Sequence, residues 1–213
     1  MRKSEWVMLL IVAAAAVTAW VFYPQLPPLV AVHWDSHGVV NGYFARESGV
    51  AIFPIVIAAL FIIFFIIPRI DPRRENIRKF RRYYNYLVIA IALFFYYLFG
   101  LFLAWNLGLQ FDMLEVLVPA FAVLFWVIGA VLPHTQPNWF IGIRTPWTIS
   151  SADVWRKTHE LGGILFRASA VMSLFGIFVP PSALPLMLIS VVLSSIVLVV
   201  YSYFIYEKER KTA

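Results

Sequence analysis

Six long apolar stretches constrain this chain more than any other feature. They lie near Trp6–Tyr23, Val50–Ile67, Tyr84–Leu107, Leu114–Leu132, Leu161–Val179 and Leu184–Tyr206. A bilayer core of about 30 Å takes roughly 20 helical residues to cross, so each stretch has about the length of a span. A segment inside hydrocarbon has to satisfy its own backbone hydrogen bonds, which makes each of them a helix. The expected fold is therefore an all-α integral membrane protein with six transmembrane helices. Composition agrees: 62% of the 213 residues are apolar and 13% charged, with a mean hydropathy of +0.82. Soluble domains sit near 45–50% apolar and about 25% charged. The first stretch starts at Arg2 and Lys3, as a signal peptide would. Its apolar run continues into Trp20–Tyr23 without a small-x-small cleavage site, so it reads as an uncleaved anchor. The chain has no cysteine, which excludes disulfides, thiolate catalysis and Cys-type zinc sites.

Charge then sets the orientation. With the N-terminus inside, the inner segments collect Arg2 and Lys3, seven cations between Arg69 and Arg82, then Arg144, Arg156 and Lys157, and finally Lys208, Arg210 and Lys211. The outer loops hold only Arg46, and Arg167 falls within the fifth stretch. The positive-inside rule thus gives N-in, C-in, with both termini cytoplasmic and the chain in the cell membrane. The net charge of +6 belongs to these inner loops and does not call for direct binding of nucleic acid.

The chain divides into an N-terminal half, residues 1–107, and a C-terminal half, residues 108–213. The loops Asn106–Met113 and Pro180–Ala183 are short, and Asp112 with Glu115 fits a capping box that opens the fourth helix. The inner loop at 68–83 reads PRIDPRRENIRKFRRY. Its cations, with Ile77, Phe80 and Tyr84 at helical spacing, describe a basic amphipathic segment lying on anionic inner-leaflet lipids. The outer loop at 24–48 begins with prolines that stop the first helix, and Leu29–Val32 looks extended. Gly38 and Asn41-Gly42 are turn signals, so a small hairpin-like outer cap is expected. His33, Asp35 and His37 alternate, which on a regular strand puts them on one face. Two imidazoles and a carboxylate could hold zinc there; alternatively His33 and Trp34 pack under the cap while Asp35 satisfies turn amides.

The long inner segment at 133–163 carries the most chemistry. Pro133 and Pro137 end the fourth helix, Trp139 and Phe140 suit the headgroup level, and Gly142 and Pro146 shape a loop around Arg144. The planar guanidinium suits carboxylates, phosphates or several carbonyls. Ser150 with Asp153 fits a capping box for a helix running into the fifth stretch. On that helix Trp155, His159 and Gly162 share a face, and Arg167 lies two turns beyond His159, about 12 Å along the axis. An arginine at that depth must snorkel or be paired.

The residues Pro137-Asn138-Trp139-Phe140-Ile141-Gly142-Ile143-Arg144-Thr145-Pro146-Trp147-Thr148, followed by Val154-Trp155 and Thr158-His159 and then Gly162, resemble the signature of the SdpI family. The outer loop, through Pro28, His33, Trp34, Asp35, Gly38, Asn41, Gly42 and Tyr43, resembles the uncharacterised domain that often precedes it. His37 departs from that pattern, where a small or polar residue is expected. The resemblance implies a membrane protein that protects the cell from a secreted, membrane-active toxin peptide and holds a cytoplasmic transcriptional repressor once toxin is bound. It carries over no catalytic residue.

The residues themselves fit three readings. In a binding and signalling module, the outer cap (His33, Trp34, Asp35, Asn41, Tyr43) meets a peptide. The inner cluster (Asn138, Arg144, Thr145, Trp147, Trp155, His159) then responds as a bistable element. In a membrane enzyme or transporter, Arg144, His159 and Arg167 line an inner-leaflet pocket for a lipid-like or small anionic substrate. In a structural lock, Arg144 caps carbonyls and the tryptophans anchor the interface. No nucleophile–base pair, phosphate-cradling glycine loop or His-Glu-x-x-His helix is present, which leans away from an enzyme. No cofactor is expected beyond the zinc alternative at the outer loop.

Overall fold

A computed structural model describes residues 2–178 and 182–212. A helix forms over each of the six apolar stretches: α1 (Lys3–Phe22), α2 (Arg46–Ile70), α4 (Arg81–Asn106), α5 (Met113–Val131), α7 (Ala152–Gly176) and α8 (Ala183–Thr212). Two short helices, α3 (Arg74–Lys79) and α6 (Pro146–Ser150), sit in the connections between α2 and α4 and between α5 and α7, and two strands, β1 (Leu29–Trp34) and β2 (Val40–Ala45), form the connection between α1 and α2. Val179, where the fifth stretch was expected to end, and Pro180 and Pro181 of the following loop lie outside the described residues.

Among the described residues, five helices are long and apolar enough to cross a membrane: α1, α2, α4, α5 and α8. The difference from the expected six is α7. It has 25 residues, but its first turns carry Asp153, Arg156, Lys157, His159 and Glu160, and Arg167 follows. A span extended backwards from Leu161 runs into that charge within one turn.

The fold comprises two compact units, and their boundaries do not follow the halves 1–107 and 108–213. The first unit comprises Met1–Phe65 and Val88–Leu117. Here β1 and β2 pair antiparallel, from Leu29 opposite Ala45 to Trp34 opposite Val40. The hairpin turn falls at Asp35–Val39, where Asp35 Oδ1 accepts the amides of His37 and Val39 at 2.8 and 3.0 Å. Asn41-Gly42, expected as a turn, lies inside β2 instead. The last residue of α4, Asn106, holds the hairpin down. Asn106 Oδ1 accepts the Ala31 amide at 2.7 Å and its Nδ2 donates to the Ala31 carbonyl at 3.1 Å, as a neighbouring strand would. Beneath, Phe53, Phe99 and Phe102 stack with centroids 5.5–6.2 Å apart. Asp112 Oδ1 accepts the amides of Leu114 and Glu115, the cap expected at the start of α5.

The second unit comprises Ile66–Leu87 and Val118–Ala213. Val118, Ala122, Phe125, Ala170 and Met187 form one buried apolar cluster, and Ser169 bonds Ser194 at 3.0 Å between α7 and α8. The basic loop differs from its expected form. Ile77, Phe80 and Tyr84 are all buried in protein, with at most 2% exposure, so this apolar face is not free to lie on lipid. Arg74, Arg78, Lys79 and Arg82 stay exposed.

Candidate functional site

The connection between α5 and α7 is a loop whose polar groups close on one another. Asn138 is fully buried. Its Nδ2 donates to the carbonyls of Gln136 and Ile141, both at 2.8 Å, while its Oδ1 accepts the amides of Phe140 and Ile141 at 2.9 and 2.7 Å. One side chain thus satisfies four backbone groups that a buried loop would otherwise leave unpaired. Thr145 caps α6, accepting the Thr148 amide at 3.2 Å and meeting the Ser202 hydroxyl of α8 at 3.0 Å. The fully buried Thr148 returns its hydroxyl to the Ile143 carbonyl at 2.8 Å. Trp147 packs edge-on against Tyr203, 5.1 Å between centroids.

At the centre are Trp155 and His159, one turn apart on α7 and each 1% exposed. Their rings stack at 4.1 Å, as the shared face required. Trp155 Nε1 donates to the Thr135 carbonyl at 3.1 Å. His159 Nδ1 lies 2.7 Å from the Trp155 carbonyl, and its Nε2 accepts the Ile143 amide at 2.9 Å. With Nε2 accepting, the ring is the neutral Nδ1–H tautomer. Burial holds its pKa down at about 4, although the bond to the Trp155 carbonyl acts the other way. Gly142 lets the loop come this close: its φ is +120°, and a Cβ there would collide with His159 Nε2.

Ser151, not Ser150, caps α7, accepting the Val154 amide at 3.2 Å. The reason for the one-residue shift is α6, which takes Ser150 into its own last turn, where its hydroxyl bonds the Pro146 carbonyl. Asp153 is therefore free to hold Arg156 and Lys157, whose cations keep its carboxyl well below the usual range.

The basic loop is fastened to this motif by residues that were not singled out in the sequence. Asp71 is 2% exposed; its Oδ2 accepts the Trp139 amide at 3.0 Å and its Oδ1 the Arg73 amide at 2.6 Å. Asn76 donates to the Pro137 carbonyl at 2.8 Å, and the Arg73 guanidinium lies 5.6 Å from the Trp139 ring centre. The Asp71-Pro72 pair is a recognisable turn signal, but nothing in the sequence says which amide 68 residues away it meets.

The predicted inner residues thus do not form one pocket. His159 is sealed with both nitrogens engaged. Arg144 is exposed, donates to the Trp139 carbonyl, and lines an open depression with Trp139, Thr145, Pro146, Ile149 and Ser150. Arg167 is half-buried and donates Nε–H to the Gly163 carbonyl of its own helix at 2.8 Å.

In the hairpin between α1 and α2, His33, Asp35 and His37 do not converge. β1 is irregular on either side of His33, which breaks the alternation that would align them, and Asp35 and His37 lie in the turn. His33 Nδ1 meets Asn41 Oδ1, and His37 is exposed. Among the described residues, no group of three or more His, Asp or Glu is placed to hold a metal ion. Trp34 packs edge-on against Trp105 at 5.6 Å. It helps line an apolar cavity of about 300 Å³ with Phe53, Leu98, Phe102, Met113 and Leu117. Its Nε1–H is buried without a partner among the described residues.

The loop that joins Asn138, Trp155 and His159 falls within residues 134–202, which match the SdpI/YfhL protein family. This is an SdpI-family region. Residues 9–58, covering most of α1, the hairpin and the start of α2, match DUF1648, a domain of unknown function. Along nearly its whole length the chain is similar to Immunity protein SdpI of Bacillus subtilis (strain 168), with 20% identity over 208 residues, 97% of each chain. No solved structure matches. The SdpI-family region closes at Ser202, the residue whose hydroxyl meets Thr145.

Proposed function

We propose that the chain is a multi-pass membrane protein conferring immunity to a membrane-active toxin peptide, which it meets at the outer cap. The observation that carries this reading is the end-to-end similarity to Immunity protein SdpI. Two features support the location. The cavity under the hairpin is apolar and of a size for a large side chain, and the unpartnered Trp34 N–H offers a donor to whatever enters. Topologically, the reading takes the part of α7 from Leu161 onward as a sixth span and both termini as cytoplasmic, on the charge distribution of the sequence. Inside, the fastening of Asp71 and Asn76 onto the 137–139 loop is a discrete contact set that could open and expose the basic loop to a repressor. The enzyme or transporter alternative finds less support, since His159 is sealed and stands apart from the depression beside Arg144.

The test is survival. Cells sensitive to a membrane-active killing peptide should tolerate a higher dose when they make this chain. Trp34→Ala should lose that protection while inserting normally. A correctly inserted wild-type chain that gives no protection counters the reading.

A further inference from the structure

Several cations on the inner connections are neutralised within the chain. Arg78 pairs with Glu75, Arg156 with Asp153 and Glu160, Lys157 with Asp153 and Glu209, and Arg210 with Glu207. Arg73 and Arg144 are different. Among the described residues neither guanidinium meets a carboxylate, although the Arg73 amide binds Asp71; both guanidiniums are held by backbone carbonyls. Arg144 spends one N–H on the Trp139 carbonyl and leaves the rest of its fork to an open depression of roughly 430 Å³. Arg73 reaches two of the residues that line this depression, Ile149 and Trp139. Both its terminal nitrogens reach the Ile149 carbonyl at a long 3.4 Å, and its charge lies beside the Trp139 ring. Trp139, between them, is 46% exposed although its amide is tied to Asp71.

We propose that this depression binds a phosphate-bearing anion. Two carbonyl-positioned guanidiniums without a counter-ion among the described residues are pre-organised donors, and a planar fork matches phosphate oxygens in a bidentate way. The exposed indole suits the headgroup level, where the phosphates of lipids lie. The anion could come from an anionic phospholipid or from free phosphate, and the chemistry of the site is the same for both. The proposal does not rest on the immunity reading.

The experiment is native mass spectrometry of the full-length protein in detergent, titrated with phosphatidylglycerol and, separately, phosphatidylcholine, with inorganic phosphate as competitor. The wild type should retain phosphatidylglycerol in preference to phosphatidylcholine. Arg144→Gln and Arg73→Gln should each weaken that binding about tenfold or more, the scale of one charge-assisted contact. Arg144→Lys, which keeps the charge without the fork, should fall between and decides the matter if the Gln variant does not fold. Arg156→Gln, already neutralised in the chain, should bind within about twofold of wild type. Displacement of the lipid by millimolar inorganic phosphate assigns the site to free phosphate, and no displacement assigns it to the headgroup; either supports the site. Undiminished binding by both Gln variants, an equal loss in Arg156→Gln, or capture of a polyglutamate peptide with no phosphate species bound overturns it.

Discussion

Replacing Gly142 by alanine tests the central contact of the inner motif. Two costs follow from the structure. At φ +120° an L-residue is strained by about 1–3 kcal/mol. The added Cβ would also collide with His159 Nε2 and lie 3.1–3.2 Å from the Trp155 ring. The loop must then retreat, which breaks the Ile143–His159 hydrogen bond and leaves a buried donor and acceptor unpaired, about 1–3 kcal/mol more. The sum is about 2–6 kcal/mol. Gly108→Ala separates the two costs, because Gly108 also has a positive φ, +100°, but nothing lies within 4 Å of its would-be Cβ. It should lose only the strain, about 1–3 kcal/mol. Reversible denaturation of the purified protein, followed by tryptophan fluorescence, reads both. If Gly142→Ala is no more than about 1 kcal/mol worse than Gly108→Ala, the close approach of loop to His159 does not constrain this fold.

His159 gives a pH signature. Its pKa of about 4 in the folded chain lies below the ordinary 6.5, so the unfolded state binds an extra proton between those values. The stabilisation is complete above pH 6.5 and is lost as pH falls toward 4, by about 3 kcal/mol in all. His159→Gln should flatten that dependence, and a wild type equally stable at pH 7 and pH 4.5 contradicts it. Asp71→Ala strips two amides of a buried carboxylate acceptor and should cost about 2–3 kcal/mol. Hydrogen exchange should rise at Trp139 and Arg73, and unchanged protection there removes the clasp. Asn106→Leu keeps the side chain's bulk but leaves both polar groups of Ala31 open. The hairpin amides should exchange at least about tenfold faster while α5 is unaffected.

The helices were legible because each depends on its own residues: an apolar run of sufficient length has no other way to satisfy its backbone in hydrocarbon. The hairpin was legible through its prolines and Gly38, but its turn was misplaced, since Asp35 binding two amides competes with the Asn-Gly signal at 41–42. The metal trio rested on regular alternation, which the irregular register around His33 removes. The basic loop was the largest difference. A cationic segment with Ile77, Phe80 and Tyr84 at helical spacing has the same pattern whether its apolar face meets lipid or protein.

By itself, the sequence determined that this is a polytopic helical membrane protein, that the polar chemistry collects in three connections, and that Trp155 and His159 share a helix face. These are consequences of composition and of periods of a few residues. Only the tertiary structure decided that His159 is a sealed, neutral acceptor, that Asp71 and Asn76 close the basic loop onto the motif, and that Asn106 stands in for a strand beside β1. It also left the guanidiniums of Arg73 and Arg144 without a carboxylate among the described residues. Each of these depends on which buried amide or carbonyl, tens of residues away, is left in need of a partner. That is settled only when the helices pack, because the cost of an unpaired polar group arises on burial.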